Sequence, residues 1–171
     1  MVPDSELNRL AEQLARRMVA QHARLATAES CTGGWLAKTI TDVPGSSQWF
    51  ERGTVPYSNA AKSSDLHVSE HTLERYGAVS EAVAREMATG ALQASGVADI
   101  AIAITGIAGP DGGSAEKPVG TVWFAIAQRN GNVEARLQRF SGNRESVRRD
   151  SVKYALEWLV AIQVLPTKTT V

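Results

Sequence analysis

The segment at 100–105, IAIAIT, constrains the fold of this chain more than any other. An apolar run without alternation has no face to give to water, so as a strand it must be covered on both sides. It is far shorter than the roughly 18–20 residues of a membrane span, and no apolar run in the chain approaches that length. Helical patterns on both sides in sequence supply the cover. Leu7, Leu10, Ala11, Leu14 and Met18 recur at three- and four-residue spacing over 5–20, after Pro3-Asp4. Val83, Met87, Ala91 and Ala94 do so over 81–95, before Gly96. A last helix starts near Asn143, carries Val147, Ser151, Tyr154, Ala155, Trp158, Leu159 and Ile162, and is ended by Pro166. The implied fold class is α/β: a single layered α/β/α domain with a mixed, partly parallel sheet.

The remaining segments fit around that strand. Residues 25–28 read as a short strand and 35–40 as a helix stopped by Val43-Pro44-Gly45. Residues 53–57 read as a strand interrupted by Pro56, hence an edge strand or a bulge. Ser58 or Asn59 can cap a short helix containing Lys62 and Leu66; Ser69 and Ser80 are further candidate caps, and Gly77 a helix stop. The stretches 121–128 and 133–140 flank Asn130-Gly131, the signal of a two-residue hairpin. At 171 residues, with no repeat or linker, one domain over 1–171 is expected, its core about 5–162 and a tail at 163–171.

Charge and cysteine content remove several functional classes. Eighteen basic residues balance eighteen acidic ones, whereas a nucleic-acid or anionic-membrane binder needs a cationic excess. Cys31 is the single cysteine, so neither an internal disulfide nor a multi-cysteine zinc site can form. His67 and His71 have the i, i+4 spacing of a metal pair but lack the H-E-x-x-H pattern, and His22 stands in a polar context. The N-terminus is charged and has no signal-peptide core, so a cytoplasmic protein is expected, without metal, nucleic-acid or membrane partner.

Three segments are unusual for a purely structural domain. Glu29-Ser30-Cys31-Thr32-Gly33-Gly34 is a polar turn between a strand and a helix. Such a turn presents N–H groups at a helix N-terminus, which suits an oxyanion or a phosphate, and it offers a hydroxyl and a thiol as nucleophiles. Tyr57-Ser58-Asn59-Ala60-Ala61-Lys62 holds two proton carriers, although a lysine acts as a base only where its pKa is lowered. The third, 105–114, follows the central strand with four glycines (106, 109, 112 and 113), at the sheet end where α/β folds bind ligands. It matches neither a Walker A loop nor G-x-G-x-x-G. Arg144 and Arg148 share one face of the last helix and can hold a phosphate together, with Arg149 and Lys153 nearby. No histidine stands in a triad context, so lysine is the better base if a serine is the nucleophile.

With these segments the chain resembles the CinA C-terminal domain family, the nicotinamide-nucleotide amidases. The resemblance lies in TAESCTGG at 27–34, ITDVPGSSQWFERG at 40–53, YSNAAK at 57–62, GAVSE at 77–81, TGIAGPDGGSAEKPVGTVWFA at 105–125 and SGNRESVRR at 141–149. It spans about residues 5–160. It implies hydrolysis of the carboxamide of nicotinamide mononucleotide, by a serine–lysine mechanism without metal or cofactor, in a homo-oligomer engaged in pyridine-nucleotide recycling. Ser30 falls at the family's nucleophile and Lys62 at its base, with Tyr57 and Thr105 lining the site. Thr32, Gly33, Gly34, Ser46, Asn59, Gly106, Gly109, Gly112, Gly113, Arg144 and Arg148 are the candidate substrate-binding residues. N–H groups around 32–34 would hold the oxyanion, worth roughly 3–4 kcal/mol per donor.

The chain departs from the family pattern at Thr54 and Pro56. Proline removes a backbone donor just before Tyr57 and restricts Val55, so the aim of Tyr57 and Lys62 is where a difference is expected. Two rival readings follow: Cys31 as the nucleophile, or a nucleotide-binding or interaction domain without turnover.

Overall fold

The computed structural model describes residues 4–164. In chain order the elements are α1 (Asp4–Ala20), β1 (Leu25–Glu29), α2 (Trp35–Thr41), a 3-10 turn (Ser46–Gln48), β2 (Phe50–Thr54), α3 (Asn59–Leu66), α4 (Glu70–Tyr76), α5 (Glu81–Ser95), β3 (Ile100–Gly106), β4 (Thr121–Gln128), β5 (Val133–Arg139) and α6 (Arg144–Ala161). The strands form one sheet in the order β2-β1-β3-β4-β5. β1 runs parallel to β2 and β3, whereas β4 is antiparallel to both β3 and β5. The fold is therefore the mixed, layered α/β arrangement expected from the central strand.

The two faces of that strand carry different side chains. Ile100, Ile102 and Ile104 pack with Leu7 and Leu14 of α1, Leu36 and Ile40 of α2, and Val152 and Leu156 of α6. Ala101 and Ala103 face the other way, beside Ala26, Ala28, Ala125 and Ala127 of the neighbouring strands. Opposite this alanine face lie Val83, Ala84, Met87 and Ala88 of α5. Small residues on both sides let α5 lie close on the sheet. Gly90 of α5 takes the same closeness further, since a Cβ there would sit 2.0 Å from the Leu66 carbonyl oxygen.

The structure revises two local expectations. The second strand occupies 50–54 rather than 53–57, pairing in parallel with β1 at the sheet edge. Pro56 lies two residues beyond its end, where the missing N–H interrupts no ladder bond. The β4–β5 hairpin is not of the two-residue type. Gly131 N–H donates to the Gln128 carbonyl and Gln128 N–H to the Asn132 carbonyl, which encloses residues 129–131. Only Gly131 has a positive φ, of 92°, whereas a two-residue type I′ turn needs Asn130 there as well. The caps follow the sequence more closely. The Ser58, Ser80 and Asn143 side chains accept the Ala61, Val83 and Ser146 amides, while Ser69 precedes α4 without a side-chain cap. α6 ends at Ala161, and Pro3, Pro166 and the tail beyond 164 lie outside the described residues. Among the described residues no helix is long and apolar enough to cross a membrane.

Candidate active site

β1 and β3 lie side by side and run in parallel; β1 ends at Glu29, opposite Ile104, and β3 runs two residues further to Gly106. From β1 the chain turns outward to β2, and from β3 it goes the other way to β4. That divergence leaves the crevice in which sheets of this kind hold ligands. Ser30 opens the turn that follows β1. Its N–H donates to the Ile104 carbonyl at 2.9 Å, and its own carbonyl accepts from Gly33 N–H at 3.1 Å. Gly33 and Gly34 follow with φ of 62° and 89°, left-handed values that a side chain would resist.

Ser30 continues the ladder to β3 one residue beyond β1, so Glu29 and Ser30 point to opposite faces, as consecutive extended residues do. The fully buried Glu29 carboxylate accepts Leu36 N–H at 2.9 Å and Ala37 N–H at 2.8 Å, at the entry to α2. Burial pushes its pKa up, and these backbone bonds act against that rise. An internal carboxylate thus occupies the Leu36 and Ala37 amides; the oxyanion is expected at those around 32–34, of which Gly33 N–H is spent on the Ser30 carbonyl. This role of Glu29 was missed; its signal is a charged residue closing an otherwise uncharged strand.

On the other face Ser30 meets Lys62, which α3 carries in its first turns. Lys62 is only 1% exposed, and Ser30 8%. Lys62 Nζ lies 3.0 Å from Ser30 Oγ, 3.0 Å from the Pro56 carbonyl and 3.1 Å from the Tyr57 carbonyl. Successive carbonyls of an extended strand point in opposite directions. Here two converge on one nitrogen because β2 has ended and the chain is turning into the Ser58 cap. The buried Pro56 carbonyl is thus part of the lysine's seat. Burial lowers the Lys62 pKa from its ordinary value. A neutral amine has two N–H bonds and one lone pair. Since the carbonyls can only accept, the lone pair is left for the Ser30 hydroxyl.

The other candidates fall into distinct places. Cys31 is buried in the core on the α2 side, and burial pushes its thiol up to about 12, so it is a poor thiolate nucleophile. Thr105 lies on the Lys62 side of the sheet and donates its hydroxyl to the Ala78 carbonyl at 2.8 Å. The Tyr57 ring is 58% exposed, and its hydroxyl accepts from Arg144 Nη2 at 3.1 Å. Arg144 Nη1 donates to the Gly109 carbonyl at 2.8 Å, tying Tyr57 to the glycine loop. Arg148 donates to the carbonyls of Cys31 and Thr32, at 3.1 and 2.9 Å, and its guanidinium lies over the Trp35 ring.

The glycine loop is closely packed at several points. A Cβ at Gly106 would meet Val122, and at Gly109 and Gly113 it would meet Val119. Gly112 is in the left-handed region at φ 89°, with more open surroundings. Asn59 is exposed at the start of α3, beside Ser63, Glu70 and Glu74. Ser46 lies elsewhere: it precedes β2, at the end of the sheet where β1 begins. A five-residue strand, about 16 Å, separates that end from Ser30 within the chain. Among the described residues no group of three or more His, Cys, Asp or Glu is placed to hold a metal ion.

A family model, the CinA C-terminal domain, matches residues 7–162. The chain belongs to that family. Within it, the chain is 58% identical over 156 residues to a nicotinamide-nucleotide amidohydrolase, PncC, of Escherichia coli K12, covering 91% of this chain and 94% of that one. A CinA-like protein of Syntrophotalea carbinolica is 52% identical over 88% of this chain but only 36% of its own length. Among solved structures, the competence/damage inducible protein CihA of Agrobacterium tumefaciens superposes with a TM-score of 0.87 at 44% identity. That match covers 91% of this chain and 94% of that one. A CinA superfamily protein of Klebsiella pneumoniae gives 0.86 at 44% identity, over 90% and 95%.

Proposed function

We propose that this CinA-family chain is an amidohydrolase converting nicotinamide mononucleotide to nicotinate mononucleotide and ammonia, with Ser30 as nucleophile and Lys62 as base. The observation that carries this reading is the buried 3.0 Å contact between Lys62 Nζ and Ser30 Oγ, with two carbonyls holding the amine's other sides. The name of the 58% identical PncC supports the substrate.

In the first half-reaction Ser30 Oγ attacks the carboxamide carbon and Lys62 takes the hydroxyl proton. Protonated Lys62 returns that proton to the amide nitrogen as the C–N bond breaks, which releases ammonia and leaves an ester on Ser30. Water then adds to the ester carbon, giving a proton to Lys62. Collapse restores the Ser30 hydroxyl with that proton and frees the carboxylic acid, which ionises to the carboxylate in water. The nucleotide lies over the 105–114 loop, near Tyr57 and Arg144. We place the enzyme in pyridine-nucleotide recycling, as a cytoplasmic homo-oligomer.

The test is release of ammonia and nicotinate mononucleotide in the presence of EDTA, by wild type, Ser30→Ala, Lys62→Ala and Cys31→Ala. Turnover by wild type and Cys31→Ala, with at least a thousandfold loss in the other two, is expected. Loss in Cys31→Ala alone would move the nucleophile to the thiol. A folded wild type that binds the nucleotide without releasing ammonia would leave a binding domain.

A further inference from the structure

We infer that Arg148 is a positioning residue that orients the Thr32 amide as an oxyanion donor beside Ser30. The inference rests on the amidase reading above and goes beyond it. Ser30 Oγ is approached by Lys62 from α3, whose Leu66 packs on the alanine face of the sheet. Arg148 approaches the same turn from α6, in the layer on the isoleucine face. Its Nε and Nη2 hold the carbonyls of Cys31 and Thr32 on that side. The only cis peptide among the described residues is Gly109–Pro110, so the peptides after Cys31 and Thr32 are trans. In a trans peptide the C=O and the following N–H point in opposite directions. Holding the Cys31 carbonyl toward α6 therefore directs the Thr32 N–H toward the side where Ser30 and Lys62 meet.

The neighbouring peptide follows the same rule. The Thr32 carbonyl is held by Arg148, and the opposed Gly33 N–H turns back to the Ser30 carbonyl at 3.1 Å. That bond closes a turn with Ser30 at its first position. A hydroxyl at the first residue of such a turn can accept from the amide two residues on, which here is Thr32, although Ser30 Oγ now contacts Lys62 instead. The oxyanion forms on the carbon bonded to Ser30 Oγ, within reach of that amide. The guanidinium is fixed in turn by its place over the Trp35 ring. Two of its donors are committed to these carbonyls, so its part in catalysis is to set the turn rather than to grip the nucleotide.

Arg148→Met keeps the apolar stem and removes both donors. The expected result is a kcat lowered about a hundredfold, the effect of losing one oxyanion donor. The Kd for nicotinamide mononucleotide, measured in a Ser30→Ala background, stays within threefold. Arg148→Lys recovers part of the rate, and amide hydrogen exchange at 31–34 quickens in both variants. A Kd weakened tenfold or more would make Arg148 a substrate contact and overturn the inference, as would an unchanged kcat. If Arg148→Met does not fold, the Lys variant is held to the same outcomes. If wild type shows no turnover, the amidase reading fails, and unchanged exchange at 31–34 then sinks the role of Arg148 separately.

Discussion

The lysine of the site is held by groups that accept hydrogen bonds and by none that carries a negative charge: one hydroxyl and two peptide carbonyls surround Nζ. Burial therefore acts against its proton and lowers its pKa from the ordinary 10.5. The sign for stability follows by linkage. Between the lowered value and 10.5 the unfolded chain holds a proton that the folded chain does not, so stability rises with pH across that window. Below it the cost of burying the charge is present in full. In the proposed mechanism, catalysis by the neutral amine has the same direction. A plot of log kcat/KM against pH should rise with unit slope to a plateau, its midpoint below 10.5. A rate that is flat with pH, or a midpoint at or above 10.5, would remove Lys62 as the base.

At the scale of elements, the position of that lysine depends on how α3 crosses α5. Gly90 makes the crossing possible: an added Cβ would lie 2.0 Å from the Leu66 carbonyl oxygen and 2.7 Å from its carbon. Both are backbone atoms, so nothing short of moving α3 relieves the clash. On an exposed helix Gly→Ala stabilises by about 1 kcal/mol. Gly90→Ala is expected to do the opposite, destabilising by about 1–3 kcal/mol as overpacked sites do. It should also lower kcat, because α3 carries Lys62. Urea unfolding and turnover of the same variant check both, and a stabilised, fully active protein would disprove the account. Gly90 did not stand out in the sequence, since its contact with Leu66 is between backbones and leaves no pattern. The caps at Ser58, Ser80 and Asn143 were legible because capping is local. The start of β2 was not. Phe50-Glu51-Arg52 lacks alternation, and its pairing with Leu25 and Ala26 is set by a neighbour 25 residues away in sequence. The Asn130-Gly131 pair announced a hairpin correctly, but its length follows from whether Asn130 joins Gly131 at positive φ, and it does not.

At the scale of the molecule, the sheet separates two layers that meet again at the site. α3 delivers Lys62 from one face, while α6 delivers Arg144 and Arg148 around the end of the sheet. The polar turn at 29–34, the segment 57–62 and the glycine loop could be found from sequence because each is a cluster of unusual residues, and the family resemblance picked out Ser30 and Lys62 within the first two. Their union could not, and neither could the distance of Ser46 from them, since both depend on strand order. The two faces of β3 differ, with isoleucine on one and alanine on the other. That asymmetry gives a test of the whole architecture in one double variant, Ile102→Ala with Ala103→Ile. Composition and total hydrophobicity are unchanged. The isoleucine face acquires a cavity, which costs about 2–5 kcal/mol, while α5 is forced off the sheet on the alanine face at about 1–3 kcal/mol. A loss of at least about 3 kcal/mol in urea unfolding is expected on these figures. If the swapped protein were as stable as the original, the two faces would be interchangeable, and the close approach of α5 that seats α3 and Lys62 would not be what holds the site in register.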